Sequence, residues 1–295
     1  MNIVVVLQRL GIIASTLAPR KFADTIARII GLAFYFLSPK SRSYILDNLY
    51  HILRNDPRYD RRKEITKLTF INFALSMVDF FRLSYLSRDD FEVHCQGLEH
   101  IDGALALHRG CVLISLHIGN WDYGGAYLAS RGVPIMALVQ ETDPTMFLLY
   151  TKHRERTGMK TYPVSKAPYA FIETIKKNKV LALLADRNVY GPGKMVEFLN
   201  GVRRIPRGLS DIIVKHNIPV VLCYVIMQKH GKRYGLFIQP VSYDRLDAES
   251  LEKKIIKVFE KIIRQYPDQW FVFHPEWIED EGIHEKTKAF AENYN

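Results

Sequence analysis

Cysteines, long apolar runs and nucleophile motifs are scarce or missing in this chain of 295 residues. Its three cysteines lie far apart without a Cys-x2-Cys spacing, which is typical of reduced core thiols in a cytosol-facing protein and not of a disulfide framework or a metal site. No Gly-x-Ser-x-Gly elbow occurs, which argues against a serine hydrolase. Low-complexity segments and internal repeats are also missing, and 12% of the residues are aromatic. A folded protein is therefore expected.

Charge is the strongest compositional signal that is present. The net charge is +10, while 48% of the residues are hydrophobic, which suits a full-sized core in one large α/β domain or in a domain with an extension. A basic balance favours anionic partners such as nucleic acid, an anionic membrane surface, a phosphorylated substrate or an acidic carrier protein. An ordinary solvated basic surface is the alternative. Because no aromatic and basic recognition motif occurs, nucleic acid is not an expected partner.

The first 40 residues contain two apolar blocks with helical periodicity. No basic region precedes the first block, which Gln8 and Arg9 interrupt, so a secretory signal is not expected. Neither block reaches the roughly 18 uninterrupted apolar residues of a spanning helix. The pattern predicts a pair of basic, apolar-faced helices in a membrane interface. A core helix pair and a single membrane anchor are the alternatives.

The periodicity divides the chain at about residue 92. Residues 1–92 are predicted to form a helical, membrane-associating region, and residues 93–295 an α/β domain. In the second part, short Val-, Ile- and Leu-rich runs alternate with amphipathic segments, which predicts a mostly parallel sheet flanked by helices. The predicted strands are 110–116, 133–139, 179–186, 218–227 and 233–241, the predicted helices are 120–131, 144–157, 165–178, 206–217 and 248–267, and 187–205 is predicted as a long loop with one short strand.

His117 and Asp186 each follow a predicted strand, at the sheet edge where parallel α/β folds place their working groups. Five residues of continuous helix would put His117 and Asp122 about 140° apart. They face each other only if a turn lies between them, and Gly119 suits such a turn. Asp122 could then fix the tautomer of His117 and raise its basicity, which makes the imidazole a general base for a substrate hydroxyl or amine. A structural histidine and aspartate pair is the alternative.

The stretch GCVLISLHIGNWDYGG, at 110–125, resembles the His-x4-Asp/Glu block of the bacterial lipid A late acyltransferase family, which includes the mycobacterial phosphatidylinositol mannoside acyltransferases. VHCQGLEHIDGALALHRG (93–110) resembles the lead-in to that block, and VLALLADRN (180–188) resembles a strand that ends in Asp-Gln or Asp-Arg. VEFLNGVRRIPRGLSDIIVKHNIPVVLCYV (196–225) and YPDQWFVFHPEW (266–277) resemble two further blocks, in the family's order. The resemblance covers most of the chain.

The resemblance implies a glycerolipid-acyltransferase-like fold and a direct acyl transfer. His117 would deprotonate a saccharide-lipid hydroxyl that attacks an acyl thioester, either acyl-ACP or acyl-CoA, while Asp122 orients the imidazole. Neither a metal nor a cofactor beyond this co-substrate is expected. The implied location is the cytoplasmic face of a bacterial inner membrane, where the protein would be peripheral or singly anchored.

The segment after Asp186 is rich in basic residues that could clamp a phosphate of the acceptor or of the donor's phosphopantetheine. A solvated loop held by salt bridges to Asp186 and Glu197 is the alternative. Asn120 could position the thioester or cap the following helix. The predicted substrate-binding residues are Asn120, Asp186, Arg187, Glu197, Arg204 and Arg207.

Two departures from the family pattern leave the acceptor open. Asp122 stands where lipid A acyltransferases often carry Glu, and PEWIEDE follows WFVFH where the family usually has basic residues. A lipid A precursor, a phosphatidylinositol mannoside-type lipid and another envelope glycolipid all fit. The more distant alternatives are a thioesterase, in which water replaces the acceptor, and a non-catalytic lipid-binding protein.

Overall fold

Seven strands form one sheet in the computed structural model, which describes residues 18–141, 143–189, 191–242 and 247–278. The order across the sheet is β1-β9-β8-β2-β5-β3-β4, and β6 pairs with β7 in a separate hairpin. All neighbours in the large sheet are parallel except β8 and β9. The strands are β1 (Val93–Gln96), β2 (Cys111–Ser115), β3 (Ile135–Val139), β4 (Lys160–Pro163), β5 (Val180–Leu184), β6 (Lys194–Phe198), β7 (Gly201–Ile205), β8 (Val220–Met227) and β9 (Tyr234–Pro240).

Helices cover both faces of the sheet. The central strand β2 is buried on both sides, because Val112 and Ile114 join one hydrophobic cluster while Cys111 and Leu113 join another. This explains its unbroken apolar sequence. The helices are α1 (Arg20–Leu37), α2 (Pro39–Leu53), α3 (Arg62–Arg82), α4 (Glu99–Leu105), α5 (Trp121–Ser130), α6 (Pro144–Glu155), α7 (Ala167–Lys177), α8 (Leu209–His216) and α9 (Ala248–Gln265).

The N-terminal helices α2 and α3 share a hydrophobic core with the sheet. Leu49 on α2 and Phe70 on α3 belong to the same cluster as Val112 and Ile114 of β2. Helix α1 packs along α3 but keeps several large apolar side chains exposed. The division at residue 92 stays a prediction, and residues 1–17 and 279–295 lie outside the described residues.

In the described part of the chain, no single helix is both long and apolar enough to cross a membrane. Helices α1 and α2 meet that criterion only when taken together, and they are bent by 93° relative to each other.

The mostly parallel α/β fold predicted from the sequence is confirmed, with three differences in detail. The segment predicted as a loop with one short strand forms the complete hairpin of β6 and β7. Strand β4 was not predicted because it has four residues at the sheet edge, including Lys160 and Pro163, and so lacks an apolar run. The short β1 and α4 also lack a signal of sufficient length.

Candidate active site

A tight turn between β2 and α5 carries the His-x4-Asp segment. Gly119 has a φ of +58°, and a Cβ built there would lie 1.7 Å from the carbonyl oxygen of Val225. Only glycine fits both constraints. Asn120 ends the turn, where its Oδ1 accepts a hydrogen bond from the backbone N–H of Tyr123 at 3.0 Å and its Nδ2 donates to the backbone oxygen of Ser76 at 3.0 Å. Of the two roles considered for Asn120, the structure displays helix capping.

The C-terminal tail motif holds this turn in place. The backbone N–H of Gly119 donates to the carbonyl oxygen of Gln269 at 2.8 Å, and that of Phe271 donates to the carbonyl oxygen of His117 at 2.8 Å. The side-chain amide of Gln269 pairs with both backbone groups of Met227, at the end of β8, at 2.8 and 3.0 Å. The tail thereby links the motif turn to the end of a central strand.

Asp186 is the carboxylate that contacts the imidazole of His117. The distance between His117 Nδ1 and Asp186 Oδ1 is 2.8 Å, and the backbone N–H of His117 donates to both carboxylate oxygens at 3.1 Å. Trp270 Nε1 donates to Asp186 Oδ2 at 2.8 Å. Asp186 is fully buried. It is therefore oriented by two neighbouring elements before any substrate binds.

The electrostatics of this pair favour an ionised Asp186. Burial alone would raise its pKa, but the charge and hydrogen bond of His117, the charge of Arg203 and the hydrogen bond of Trp270 together lower the pKa to about 2. With Nδ1 of His117 bonded to this carboxylate, Nε2 is the nitrogen left to accept a proton. The arrangement matches the base and orienting acid of a catalytic triad, without a nucleophile of its own.

Asp122 does not contact the imidazole, which corrects the pairing expected from the sequence. Its carboxylate accepts two hydrogen bonds from Arg154 on α6, at 2.6 and 3.0 Å. Asp122 is the second residue of α5, and its side chain points toward α6. There it forms a bidentate ion pair with Arg154. Asp186 was predicted to contact the substrate. In the structure it is fully buried and bonded to His117 instead.

An apolar cavity of about 270 Å³, here called the His117 cavity, lies beside His117. Strand residues such as Leu113 and Ile135 form its walls, together with Gly125 and Leu128 of α5 and Met159. Asp122 and Arg154 line the same cavity. An imidazole at one side of an apolar cavity is a suitable arrangement for proton transfer on a substrate with an acyl chain.

The basic residues after Asp186 do not form one clamp. Arg187 and the buried Arg203 both pair with Glu276 of the tail, at 2.7 and 2.9 Å. Arg204 is exposed and donates to the carbonyl oxygen of Pro192 at 2.9 Å. The exposed Glu197 and Arg207 complete the predicted set. None of the four predicted residues Arg187, Glu197, Arg204 and Arg207 lines the His117 cavity, so substrate binding by them stays a prediction.

Several residues of the site were not predicted from the sequence. Arg154 lies near the end of α6 in a run of basic residues, where nothing distinguishes it from a solvated charge. Glu276 departs from the family pattern at its position, and in the structure its carboxylate pairs with two arginines. The Asp-Gln-Trp part of the tail motif was the available signal for Trp270.

Among the residues that the structure describes, no group of three His, Cys, Asp or Glu side chains is arranged to hold a metal ion.

Comparisons with known proteins give a family model and named relatives. A family model described as bacterial lipid A biosynthesis acyltransferase matches residues 3–279. A phosphatidylinositol mannoside acyltransferase of Mycobacterium tuberculosis is 26% identical over 190 residues, which is 62% of this chain and 60% of that protein. The enzyme of the same name from Mycolicibacterium smegmatis is 23% identical over 79% of this chain and 78% of its own length. A lipid A biosynthesis acyltransferase of Haemophilus influenzae is 20% identical over 85% of this chain and 80% of its own length.

Proposed function

Because the chain belongs to the bacterial lipid A biosynthesis acyltransferase family, we propose that it transfers a fatty acyl chain from an acyl thioester to a hydroxyl of a saccharide lipid. The observation that carries this proposal is the pairing of His117 with the buried Asp186 beside an apolar cavity. The phosphatidylinositol mannoside acyltransferases and the lipid A acyltransferase among its relatives support a glycolipid acceptor.

In the proposed mechanism, Nε2 of His117 takes the proton of the acceptor hydroxyl as its oxygen attacks the thioester carbonyl. The tetrahedral intermediate then collapses, the carbon–sulfur bond breaks, and the imidazolium returns the proton to the thiolate. Asp186 stabilises the imidazolium that forms between these steps, and Trp270 keeps the carboxylate in position. No protein nucleophile is required.

The donor's acyl chain would occupy the His117 cavity. Gly125 lines this cavity, and a Cβ there would come within 2.7 Å of Met159 Sδ, so the bare α5 backbone packs directly against Met159 in the cavity wall. The anionic donors, acyl-ACP and acyl-CoA, both suit a chain of net charge +10. Among acceptors, a lipid A precursor and a phosphatidylinositol mannoside-type lipid each have relatives in support.

The proposal includes docking on an anionic membrane at the cytoplasmic face of the inner membrane. Phe22, Ile30 and Phe34 on α1 have 61%, 57% and 54% of their surface exposed, respectively. Spaced by four or eight residues, they lie on one face of the helix. Exposed apolar side chains in a helix that also carries lysine and arginine are typical of interfacial binding.

An acyl-transfer assay tests the function. Purified protein is incubated with acyl-ACP and acyl-CoA, each with total envelope lipid, and the products are identified by mass spectrometry. We expect one lipid to gain one acyl chain, and we expect the His117→Ala variant to lose at least about 100-fold in rate while keeping the wild-type circular dichroism spectrum.

The other outcomes identify the competing functions. Release of free fatty acid without an acylated lipid would indicate a thioesterase. Consumption of neither thioester by a folded protein that binds vesicles would indicate a lipid-binding protein, and near-normal transfer by His117→Ala would remove the assigned base.

A further inference from the structure

A second cavity, of about 360 Å³, lies beside the His117 cavity, between α3 and the motif turn. We call it the α3 cavity, because Phe73, Met77 and Phe80 of that helix form much of its wall, together with Phe271 of the tail. Its volume falls in the range of sites that bind small ligands, roughly 300–1,000 Å³. The donor chain proposed above occupies the His117 cavity and leaves this second, largely apolar space without a ligand.

The two cavities share one wall. Trp121, Asp122, Tyr150 and Arg154 line both of them. The two hydrogen bonds between Asp122 and Arg154 close the middle of this wall. The ring of Trp121 lies 5.2 Å from that of His117, between ring centroids, so a ligand in either cavity would be close to the catalytic base.

At its other end, the α3 cavity adjoins a groove beside the exposed apolar face of α1. Phe73 and Met77 also line this groove of about 460 Å³ between α1 and α3, here called the α1–α3 groove. The opposite wall of the groove is formed by α1, including the exposed Phe22 and Ile30. Apolar walls therefore follow one another from the proposed membrane face to the neighbourhood of His117.

Ser76 lines the α3 cavity, and its hydroxyl lacks a hydrogen-bond partner among the described residues. This hydroxyl is buried. An unpaired buried hydroxyl is unfavourable. Rotation of the Ser76 side chain about χ1 would turn the hydroxyl into the cavity, where an ester carbonyl at the head of an aliphatic chain would accept its hydrogen bond.

We infer that the α3 cavity binds one aliphatic chain of the membrane-embedded acceptor lipid, which enters through the α1–α3 groove. The inference rests on the proposed acyl transfer. The acceptor is held by its chain on one side of the wall formed by Asp122 and Arg154, the donor chain lies on the other side, and the reacting groups meet at His117.

Filling the α3 cavity tests this assignment. Ser76→Leu replaces a hydroxymethyl with the larger isobutyl side chain in the wall of the cavity, and Met77→Trp narrows the junction between the cavity and the groove. For acyl transfer to phosphatidylinositol mannoside or to a lipid A precursor, whichever is the acceptor, we expect each variant to raise the KM by roughly tenfold, the effect of about two lost methylene contacts. The KM for the acyl thioester and the rate with the deacylated, water-soluble headgroup should not change.

Gly103→Leu is the matched control, because it adds the same side chain to an exposed position of α4 with no atom within 4 Å of its Cβ. Its kinetics should equal those of the wild type. A raised KM for the thioester in Ser76→Leu would assign the α3 cavity to the donor chain, and an unchanged KM for both substrates in the two folded variants would leave no chain there. Either result overturns the inference.

A binding measurement separates this inference from the acyl-transfer proposal. Phosphatidylinositol with brominated acyl chains, in detergent micelles, should quench the fluorescence of Trp121 while a non-hydrolysable acyl-CoA analogue saturates the His117 cavity. The contribution of Trp121 is the difference from Trp121→Phe. We expect Ser76→Leu to abolish this quenching and Gly103→Leu to retain it. Equal quenching in all of these proteins except Trp121→Phe would exclude the α3 cavity even if acyl transfer is confirmed, and a loss confined to Ser76→Leu would support it even if no acyl transfer occurs.

Discussion

The carboxylate of Asp186 serves His117 in two ways. It accepts the hydrogen bond of Nδ1, which fixes the tautomer, and it accepts the backbone N–H of the same residue, which fixes the position of the strand end. Trp270 donates to its other oxygen. An isosteric amide in place of Asp186 would have to offer an N–H to one of these three donors.

We therefore predict that Asp186→Asn lowers the rate of acyl transfer by about 100-fold or more, because the amide cannot stabilise an imidazolium and can impose the wrong tautomer. Initial rates at saturating thioester and acceptor measure the effect. Asp122→Asn is the informative comparison, since its contact is Arg154 and not the imidazole. A larger loss for Asp122→Asn than for Asp186→Asn would refute the assignment of Asp186 as the orienting acid.

Acid titration provides a second test of Asp186. Its pKa is lowered to about 2 in the folded protein, against about 3.9 in an unfolded chain. The carboxylate therefore contributes stability fully above pH 4, and that contribution is lost as the pH falls toward 2. Between pH 4 and pH 2, the free energy of unfolding should fall less steeply for Asp186→Asn than for the wild type, as measured by urea denaturation. Parallel slopes would contradict this prediction.

At the scale of one element, the turn between β2 and α5 depends on close backbone contact. Gly119 and Gly132 both have positive φ values, +58° and +87°. They differ in their surroundings, because a Cβ at Gly119 would overlap the carbonyl oxygen of Val225, whereas no atom lies within 4 Å of a Cβ at Gly132.

This difference predicts unequal effects of the same substitution. Gly132→Ala should cost about 1 kcal/mol in the free energy of unfolding, from backbone conformation alone. Gly119→Ala should cost about 3 kcal/mol or more and should displace His117, since the backbone must move to relieve the overlap. Chemical denaturation monitored by circular dichroism gives both values. Equal losses in the two variants would show that the turn tolerates the displacement.

Much of this element could be predicted from the sequence, but its partners could not. The apolar run of β2, the glycine of the turn and the start of α5 are all local signals. That His117 binds Asp186 depends on β2 lying next to β5 in the sheet, and strand order has no local signal. The His-x4-Asp spacing pointed to Asp122 because sequence separation is the only distance that a sequence displays. The ion pairs of Glu276 were missed for the same reason, whereas the edge strand β4 was missed because it lacks an apolar run.

At the scale of the whole molecule, a buried network connects the exposed helix α1 to the motif turn between β2 and α5. Asp79 on α3 accepts hydrogen bonds from Arg20 at 3.1 Å, Arg233 at 2.6 Å and the Tyr234 hydroxyl at 2.6 Å. Tyr234 in turn accepts a hydrogen bond from Asn120 at 3.3 Å. Two arginines around one buried aspartate hold α1 against the body of the protein, because removing either sign would leave a buried charge without its partner.

A fixed α1 presents its apolar face in one orientation, and this makes the membrane proposal testable by substitution. In the double variant Phe22→Asp/Ile30→Asp, two side chains that are 61% and 57% exposed lose their apolar character, while the charge falls by two. Leu107→Asp/Tyr169→Asp is the matched control, because it makes the same charge change at side chains that are 52% and 68% exposed and lie outside α1 and α3.

We expect the α1 variant to bind anionic phospholipid vesicles roughly tenfold more weakly than the control in sedimentation assays, since an apolar side chain that enters the interface contributes about 1.5 kcal/mol or more. Both variants should fold, as judged by circular dichroism, because neither pair of residues is buried. The basic charge of the chain also predicts weaker binding to vesicles of neutral lipid and at higher salt. If the two variants sediment equally, charge alone holds the protein at the surface, and the apolar face of α1 does not enter the membrane.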